Sequence, residues 1–225
     1  MSDVPAPEND DDALLASIGM RLDGAERGLG DVQAACARIA RRIHAERLRV
    51  VGFVPSSDRV AVPPVMIHLG LALCDLTGAT VAVVDANVRY PGLGDLAKGQ
   101  YVDHSPQRIR VAARPGEAGA CDHDGSVFST RWLRGSLALL SAPRVELAGD
   151  VVPQLSRVLT EGSDLFAHVL VDLTGFELLG EHAAAAGCMD AVAVVGEAHH
   201  SREQELVELA RLMPRGRFLG VLLVG

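Results

Sequence analysis

VGFVPSSDRVAVPPVMIHLGLALCDLTGATVAVVDANVRYP, residues 51–91, reads as a strand, a loop, a helix, a turn and a second strand that ends on an aspartate. The first strand covers Leu48–Val54 and is apolar throughout after Arg49, as suits a parallel strand buried on both faces. The helix covers Pro63–Leu76. Prolines in a first turn are tolerated because the N–H groups there have no intrahelical partner, and Gly78 is a natural C-terminal stop. Thr80–Asp85 is the second buried strand, after which Pro91 and Gly92 break the chain.

Upstream of this unit, residues 1–11 are acidic and contain proline, a composition expected to remain disordered. Asp12 is placed to cap a short helix over Ala13–Leu22. A second helix is expected over Asp31–Arg47, with Val32, Cys36, Ile39 and Ile43 on one stripe. Arg38, Arg41, Arg42 and Arg47 fall away from that stripe, as a solvated face or an interface. Downstream, residues 94–135 are the least legible part, with Arg108–Ala113 and Val127–Thr130 as short strands. Leu137–Ser141, Val169–Asp172, Ala191–Val195 and Leu219–Val224 read as strands, and Asp150–Thr160, Leu178–Gly187 and Ser201–Leu212 as helices. Ser201 followed by Gln204 fits a capping box. The alternation predicts an α/β fold: a mostly parallel sheet with helices on both faces, in three layers. The expected organisation is an acidic tail over 1–11, a helical segment over 12–47 and an α/β domain over 48–225.

The bulk composition fits that reading. At 48% hydrophobic and 22% charged, the chain resembles an ordinary soluble protein, and with 4% aromatics its core must be mostly Leu, Val and Ala. Net charge is -8, and Asp3, Glu8, Asp10, Asp11 and Asp12 supply five of the negatives. No basic cluster stands out, which argues against nucleic acid as a partner. Cys36, Cys74, Cys121 and Cys188 are scattered without a CxxC pair, so reduced thiols in a cytoplasmic protein are expected rather than disulfides or a zinc site. No signal-peptide pattern and no membrane-length apolar run is present, so no direct membrane insertion is expected.

Ligands of parallel α/β sheets bind at the carboxyl ends of the strands. The loop Val54–Val62 and the strand-end residues Asp85 and Asp172 should meet there, with the two aspartates flanking the loop. Strand-end carboxylates can hold magnesium or its water, although Asp also ends strands for turn reasons. Other candidates carry less chemistry. CDHDG at Cys121–Gly125 fits no standard zinc or calcium spacing. His199 and His200 read as exposed turn residues, and Ser56, Ser57 and Asp58 have no partner base for nucleophilic work.

VAVVDANVRYPGL, residues 81–93, resembles the second aspartate motif of bacterial tyrosine kinases, an apolar strand followed by Asp-x-Asp-x-Arg-x-Pro; Asp85, Arg89 and Pro91 match it. HLGLALCDLTGATVAVVD is similar to the helix and strand after the phosphate loop of that family and of the partition-type ATPases. FAHVLVDLTG resembles its third motif, with Asp172 at the key position, and residues 190–225 resemble its last two strands and the helix between them. The resemblance covers about residues 31–225, thinly between 96 and 135. It implies a P-loop NTPase-like fold of the MinD/ParA-like group.

The departures from the pattern set the functional expectation. With His68 at the family's usual Asn position, Gly-Lys-Ser/Thr of the phosphate loop falls on Ala61, Val62 and Pro63. No glycine lies between Gly52 and Gly70, Pro63 and Pro64 bring no N–H groups, and the branched Val60 and Val62 disfavour left-handed backbone. Asn87 replaces the second aspartate. Only Arg59 is available as a substitute cation. The tyrosine-rich tail of such kinases has no counterpart up to Gly225. Of the family's Glu-x-x-Arg-x-x-Arg oligomer motif, Arg38 and Arg41 match while Ala35 replaces the glutamate. The expectation is a catalytically inactive pseudo-ATPase or pseudo-kinase with no catalytic residue, no metal and no cofactor beyond weak Mg-ATP or Mg-ADP, its vestigial pocket marked by Asp85, Asn87 and Asp172. As the resemblance implies, it would act on a protein partner: a membrane polysaccharide co-polymerase or an active homologue, with homo-oligomerisation as a further expectation, at the inner face of the membrane and in exopolysaccharide synthesis and export. The alternatives are an active ATPase or tyrosine kinase with a non-standard phosphate loop, and a ParA/MinD-like positioning factor.

Overall fold

Continuous apolar strands can be buried only if both sheet faces are covered, and the chain is built accordingly. The computed structural model describes residues 15, 29–57, 59–87, 129–141, 159, 165–176, 182–214 and 216–224. The elements in chain order are α1 (Leu29–Ala45), β1 (Val50–Pro55), α2 (Val62–Thr77), β2 (Val81–Asp85), β3 (Ser129–Leu133), β4 (Leu137–Ser141), β5 (His168–Asp172), α3 (His182–Gly187), β6 (Ala191–Glu197), α4 (Glu203–Leu212) and β7 (Phe218–Val224). The strands form one seven-stranded sheet in the order β3-β4-β2-β5-β1-β6-β7. Every neighbouring pair is parallel except β3 with β4.

Side chains alternate across the sheet with the period of two that a strand imposes. Val81 and Val83 of β2 join Val51, Phe53 and Leu170 in a cluster under α1 and α2, whereas Ala82 and Val84 join Val54, Val171 and Val192 in a cluster on the other face, with Ala185 and Ala186 of α3. The three-layer α/β/α reading of the sequence therefore holds. α2 lies directly on the sheet. A Cβ at Gly70 would sit 2.7 Å from Leu137 Cδ1 and 3.3 Å from Val83 Cγ2, so a glycine there sets how closely the helix approaches β2 and β4. Gly78 ends α2 with φ 66° and donates its N–H to Cys74 O at 2.8 Å, as expected of a left-handed C-cap. In α1, Cys36, Ala40 and Ile43 are buried while Val32 is exposed, so the stripe faces the core only from its second turn. Burial raises the Cys36 thiol to about 11, and burial raises that of Cys74 as well, so both stay protonated and inert.

Two local expectations are revised. The strand placed at Val127–Thr130 runs from Ser129 to Leu133 and turns back antiparallel through Arg134–Ser136. Ser201 is not the cap of the last helix. α4 starts at Glu203 with Arg202 at the cap position and no side-chain cap bond; Ser201 Oγ instead accepts from Glu197 N at 2.7 Å and meets Ser56 Oγ at 2.8 Å. The hydroxyl is used in tying β6 to the loop after β1, a long-range demand that the local capping pattern cannot reveal. The expectations for residues 1–11, 94–128, 150–158, the CDHDG segment, Arg89, Tyr90 and Pro91 lie outside the described residues, and so does most of the helix expected over Ala13–Leu22.

Two contacts close the amino-terminal end of the sheet. Asp190 Oδ2, just before β6, accepts from Arg49 N at 2.7 Å and Val50 N at 2.8 Å. Asp190→Ala is expected to lower stability by about 1 kcal/mol, read as the urea midpoint, because two strand-start amides lose a charged acceptor and regain only water. His168, at the start of β5, is buried and donates from Nδ1 to Leu48 O at 2.8 Å, with the His44 ring 5.8 Å away, edge-on. Burial lowers the His168 pKa below the ordinary 6.5; His44 adds to this and the Leu48 carbonyl opposes it. A group depressed in the folded state contributes stability that is present above its unfolded value and is lost as pH falls through its folded value. The unfolding midpoint should therefore fall below pH 6.5, and His168→Gln should flatten that fall in chemical denaturation at pH 7 and pH 5.

Candidate functional site

β1 delivers its loop to the carboxyl end of the sheet between β5 and β6. The backbone of that loop turns inward on itself. Ser56 N donates to Val195 O at 2.7 Å, Arg59 N to Ser57 Oγ at 3.4 Å and Val60 N to Ser57 O at 3.2 Å. Pro63 and Pro64 supply no donor in the first turn of α2. Anion cradles are made by successive N–H groups pointing to one centre, commonly through a left-handed residue. Among the described residues, left-handed backbone occurs at Arg47, Gly78, Arg134, Gly135, Gly175, His199, Gly216 and Gly220, and at none of the described residues of this loop. Val60 and Val62 are 7% and 0% exposed and belong to the core under α2. Arg59 is exposed, and its guanidinium has no hydrogen bond among the described residues.

The two predicted aspartates do come together. Asp85 of β2 and Asp172 of β5 are register partners on adjacent strands, 2% and 0% exposed. They do not flank the loop as the sequence suggested: both lie to one side of β1, with Asp172 beside Phe53 in register and Asp85 one strand further out. Each ends its strand in the same way. Asp85 Oδ1 accepts from Asn87 N at 3.1 Å, and Asp172 Oδ1 accepts from Thr174 N at 2.9 Å and Thr174 Oγ1 at 2.5 Å. These are Asx turns, a structural use of strand-end aspartate.

Asp172 Oδ2 is different. It is fully buried and has no hydrogen-bond partner of ordinary geometry among the described residues. Burial raises the Asp172 carboxyl to about 7, assisted by the nearby Asp85; the Thr174 hydroxyl and amide and the neighbouring Asn87 side chain pull the other way. Thr174 is the site residue that sequence reasoning missed. The signal was present, since Asp172-Leu-Thr174 repeats the Asp85-Ala-Asn87 spacing with another hydrogen-bonding residue at the third position.

Two adjacent carboxyls with one orphan oxygen are suited to a shared proton or to a hard divalent cation. The resemblance puts the metal-binding hydroxyl at the position of Pro63, and among the described residues no group of three or more His, Cys, Asp or Glu side chains is placed to hold a metal.

No protein-family model matches the chain, and no curated protein matches it in sequence. Solved structures do match in shape. The kinase domain of Escherichia coli tyrosine kinase ETK superposes with a TM-score of 0.68 at 13% identity, covering 99% of this chain and 83% of that one. The VpsO kinase domain gives 0.64 at 16%, covering 86% and 93%. A ParA family ATPase from Chlorobium tepidum TLS gives 0.53 at 16%, covering 78% and 72%. Identities this low speak to architecture, and with the strand order and the paired strand-end aspartates they support one statement: the chain has the three-layer α/β/α fold shared by bacterial tyrosine kinase domains and ParA-like ATPases.

Proposed function

We propose that the chain is a catalytically inactive member of this fold group that works by binding another protein. The observation that carries the reading is the loop after β1. Its amides are spent on Val195 O and on Ser57, and two prolines open the helix behind it. Its valines are packed into the core, at the position where the resemblance expects a lysine. Such a loop has neither the lysine nor the converging donors that a triphosphate needs. Isothermal titration with Mg-ATP tests the reading: no saturable heat is expected at micromolar nucleotide, and micromolar binding with measurable phosphate release would overturn it. The likeness to bacterial tyrosine kinase domains supports a partner in polysaccharide export, either a membrane co-polymerase or an active kinase homologue, and affinity capture followed by mass spectrometry should recover one of the two.

A second reading rests on Asp172 Oδ2. An unpaired, buried carboxylate oxygen beside Asp85 favours residual cation binding and, with Arg59, an altered ATPase or kinase site. It requires Asp85→Ala to lower phosphate release; an unchanged rate removes it. Among the described residues no helix is long and apolar enough to cross a membrane.

A further inference from the structure

A groove lies on the helical face of the molecule, well away from the strand-end aspartates. It has a volume of about 420 Å³ and is formed between α1, the second half of α2 and the turn joining β3 to β4. Its α2 residues run from His68 to Leu76, six to fourteen positions after the helix start at Val62, or roughly 9–21 Å along the axis at 1.5 Å per residue. It therefore opens toward the opposite end of the sheet from the loop after β1.

The lining combines two kinds of surface. Ala37, Leu71 and Ala72 are its apolar part, Arg41 comes from α1 and Arg134 from the β3–β4 turn, and the half-buried His68 of α2 joins them. Among the described residues of the lining Asp75 is the acidic group, and Gln33 adds a neutral polar end.

Arg41 is the informative residue. A helical arginine usually finds an acidic partner three or four positions away. Arg42 does so, with Glu46 at 2.8 Å. The corresponding neighbours of Arg41 are Ala37, Arg38, His44 and Ala45, none of them acidic, and Arg41 has no ion pair or hydrogen bond among the described residues. Arg41 lines the groove without an ion-pair partner among the described residues. Arg134 adds an independent oddity. It occupies a left-handed position, φ 51°, immediately before Gly135 at φ 71°. Asn, Asp or Gly adopt that conformation at little cost, whereas a long side chain pays about 1 kcal/mol. Backbone strain of this kind persists where the side chain is needed in one place. Arg134 is already engaged within the chain, which holds it there.

We propose that this groove is a binding site for a small organic anion, a carboxylate or phosphate head on an apolar body. The head would lie against Arg41, whose planar guanidinium can present two N–H groups to two oxygens. The body would cover Ala37, Leu71 and Ala72. A volume of this size falls in the range that holds metabolite-sized ligands.

The test uses the full chain, isotopically labelled for amide NMR, titrated with phenyl phosphate, phenylacetate, phenylacetamide and inorganic phosphate. At least one of the two aromatic anions should give saturable shifts at Ala37, Ala72 and Leu76 with a dissociation constant below roughly 1 mM. The one that saturates identifies the head group. Phenylacetamide should give none, and inorganic phosphate should bind at least about tenfold more weakly than the better aromatic anion. Arg41→Gln, a change at an exposed position checked for an unaltered thermal midpoint, should weaken binding about tenfold or more. The proposal is overturned if neither anion saturates by about 10 mM, if Arg41→Gln binds as tightly as the parent, or if the shifts map to the loop after β1 instead.

Discussion

At pH 8, Asp172→Asn should unfold at a higher urea concentration than the parent chain, with a gain on the order of 3 kcal/mol that disappears by pH 4. The cause is the buried carboxyl at the end of β5. Its folded pKa is raised from 3.8 to about 7, chiefly by burial and then by Asp85. A group raised in the folded state keeps its full contribution below the unfolded pKa and loses it as pH rises through the folded one. The parent chain therefore forfeits stability between about pH 4 and pH 7, on the order of 4 kcal/mol in all. Asparagine cannot ionise. Its oxygen can still accept from Thr174 N and Oγ1, and the repulsion between two acids is removed. The gain recovered is somewhat below the full cost because the amide must fit a site shaped for a carboxylate. Urea denaturation of both proteins at pH 4, 6 and 8 checks the prediction; equal stability at pH 8, or a loss there, refutes it. A natural chain that tolerates such a cost at Asp172 is holding a carboxylate where folding alone would prefer an amide. This connects the stability measurement with the cation-binding reading of Oδ2.

Val62→Lys should destabilise the chain by on the order of 3–5 kcal/mol and should not create a nucleotide site. The resemblance to the bacterial tyrosine kinases puts the missing lysine at this position, so restoring it is the obvious attempt to recover the chemistry. The structure predicts failure on physical grounds. Val62 is 0% exposed and belongs to the cluster beneath α2, with Val60, Met66 and Ile67. An ammonium there would sit among apolar side chains rather than in water. It must either be buried as a neutral amine with a strongly lowered pKa or pull the start of the helix out of the core. Val62→Met, apolar and somewhat larger, controls for the added volume and should cost under about 1.5 kcal/mol. Thermal unfolding of the three proteins, with Mg-ATP titration of each, separates the outcomes. A lysine variant as stable as the parent, or one that binds Mg-ATP, would show that the loop is closer to a working phosphate site than its hydrogen bonds indicate.

Much of this architecture was legible in advance because it depends on local pattern. Leu137–Ser141 was placed to the residue, and β1, β2, β5, β6 and β7 to within about two residues at either end, since an unbroken branched run has little alternative to a covered strand. Gly78 was read correctly because a left-handed C-cap leaves a signature in a single residue. The misreadings share a cause. Ser201 looks like a cap in a four-residue window, yet its hydroxyl is engaged by Glu197 N and Ser56, the latter 145 positions away. Thr174 and Asp190 act through backbone amides, one within a turn and the other across two strands, and neither has a motif strong enough to single it out.

The sequence by itself determined that the chain folds as a three-layer α/β/α sheet, that Asp85 and Asp172 end buried strands, and that in the loop preceding both the phosphate-loop lysine and hydroxyl positions are Val62 and Pro63, with no glycine between Gly52 and Gly70. Only the tertiary structure decided what those facts amount to. It set the two aspartates side by side on β2 and β5, left one oxygen of Asp172 without a hydrogen-bond partner among the described residues, and turned the amides of Ser56, Arg59 and Val60 and the two valines inward. The reason is physical. Periodicity and residue type act over a few positions and specify which face of an element is buried. The ionisation of a carboxyl and the direction of an amide depend on neighbours that the sheet order brings together from across the chain.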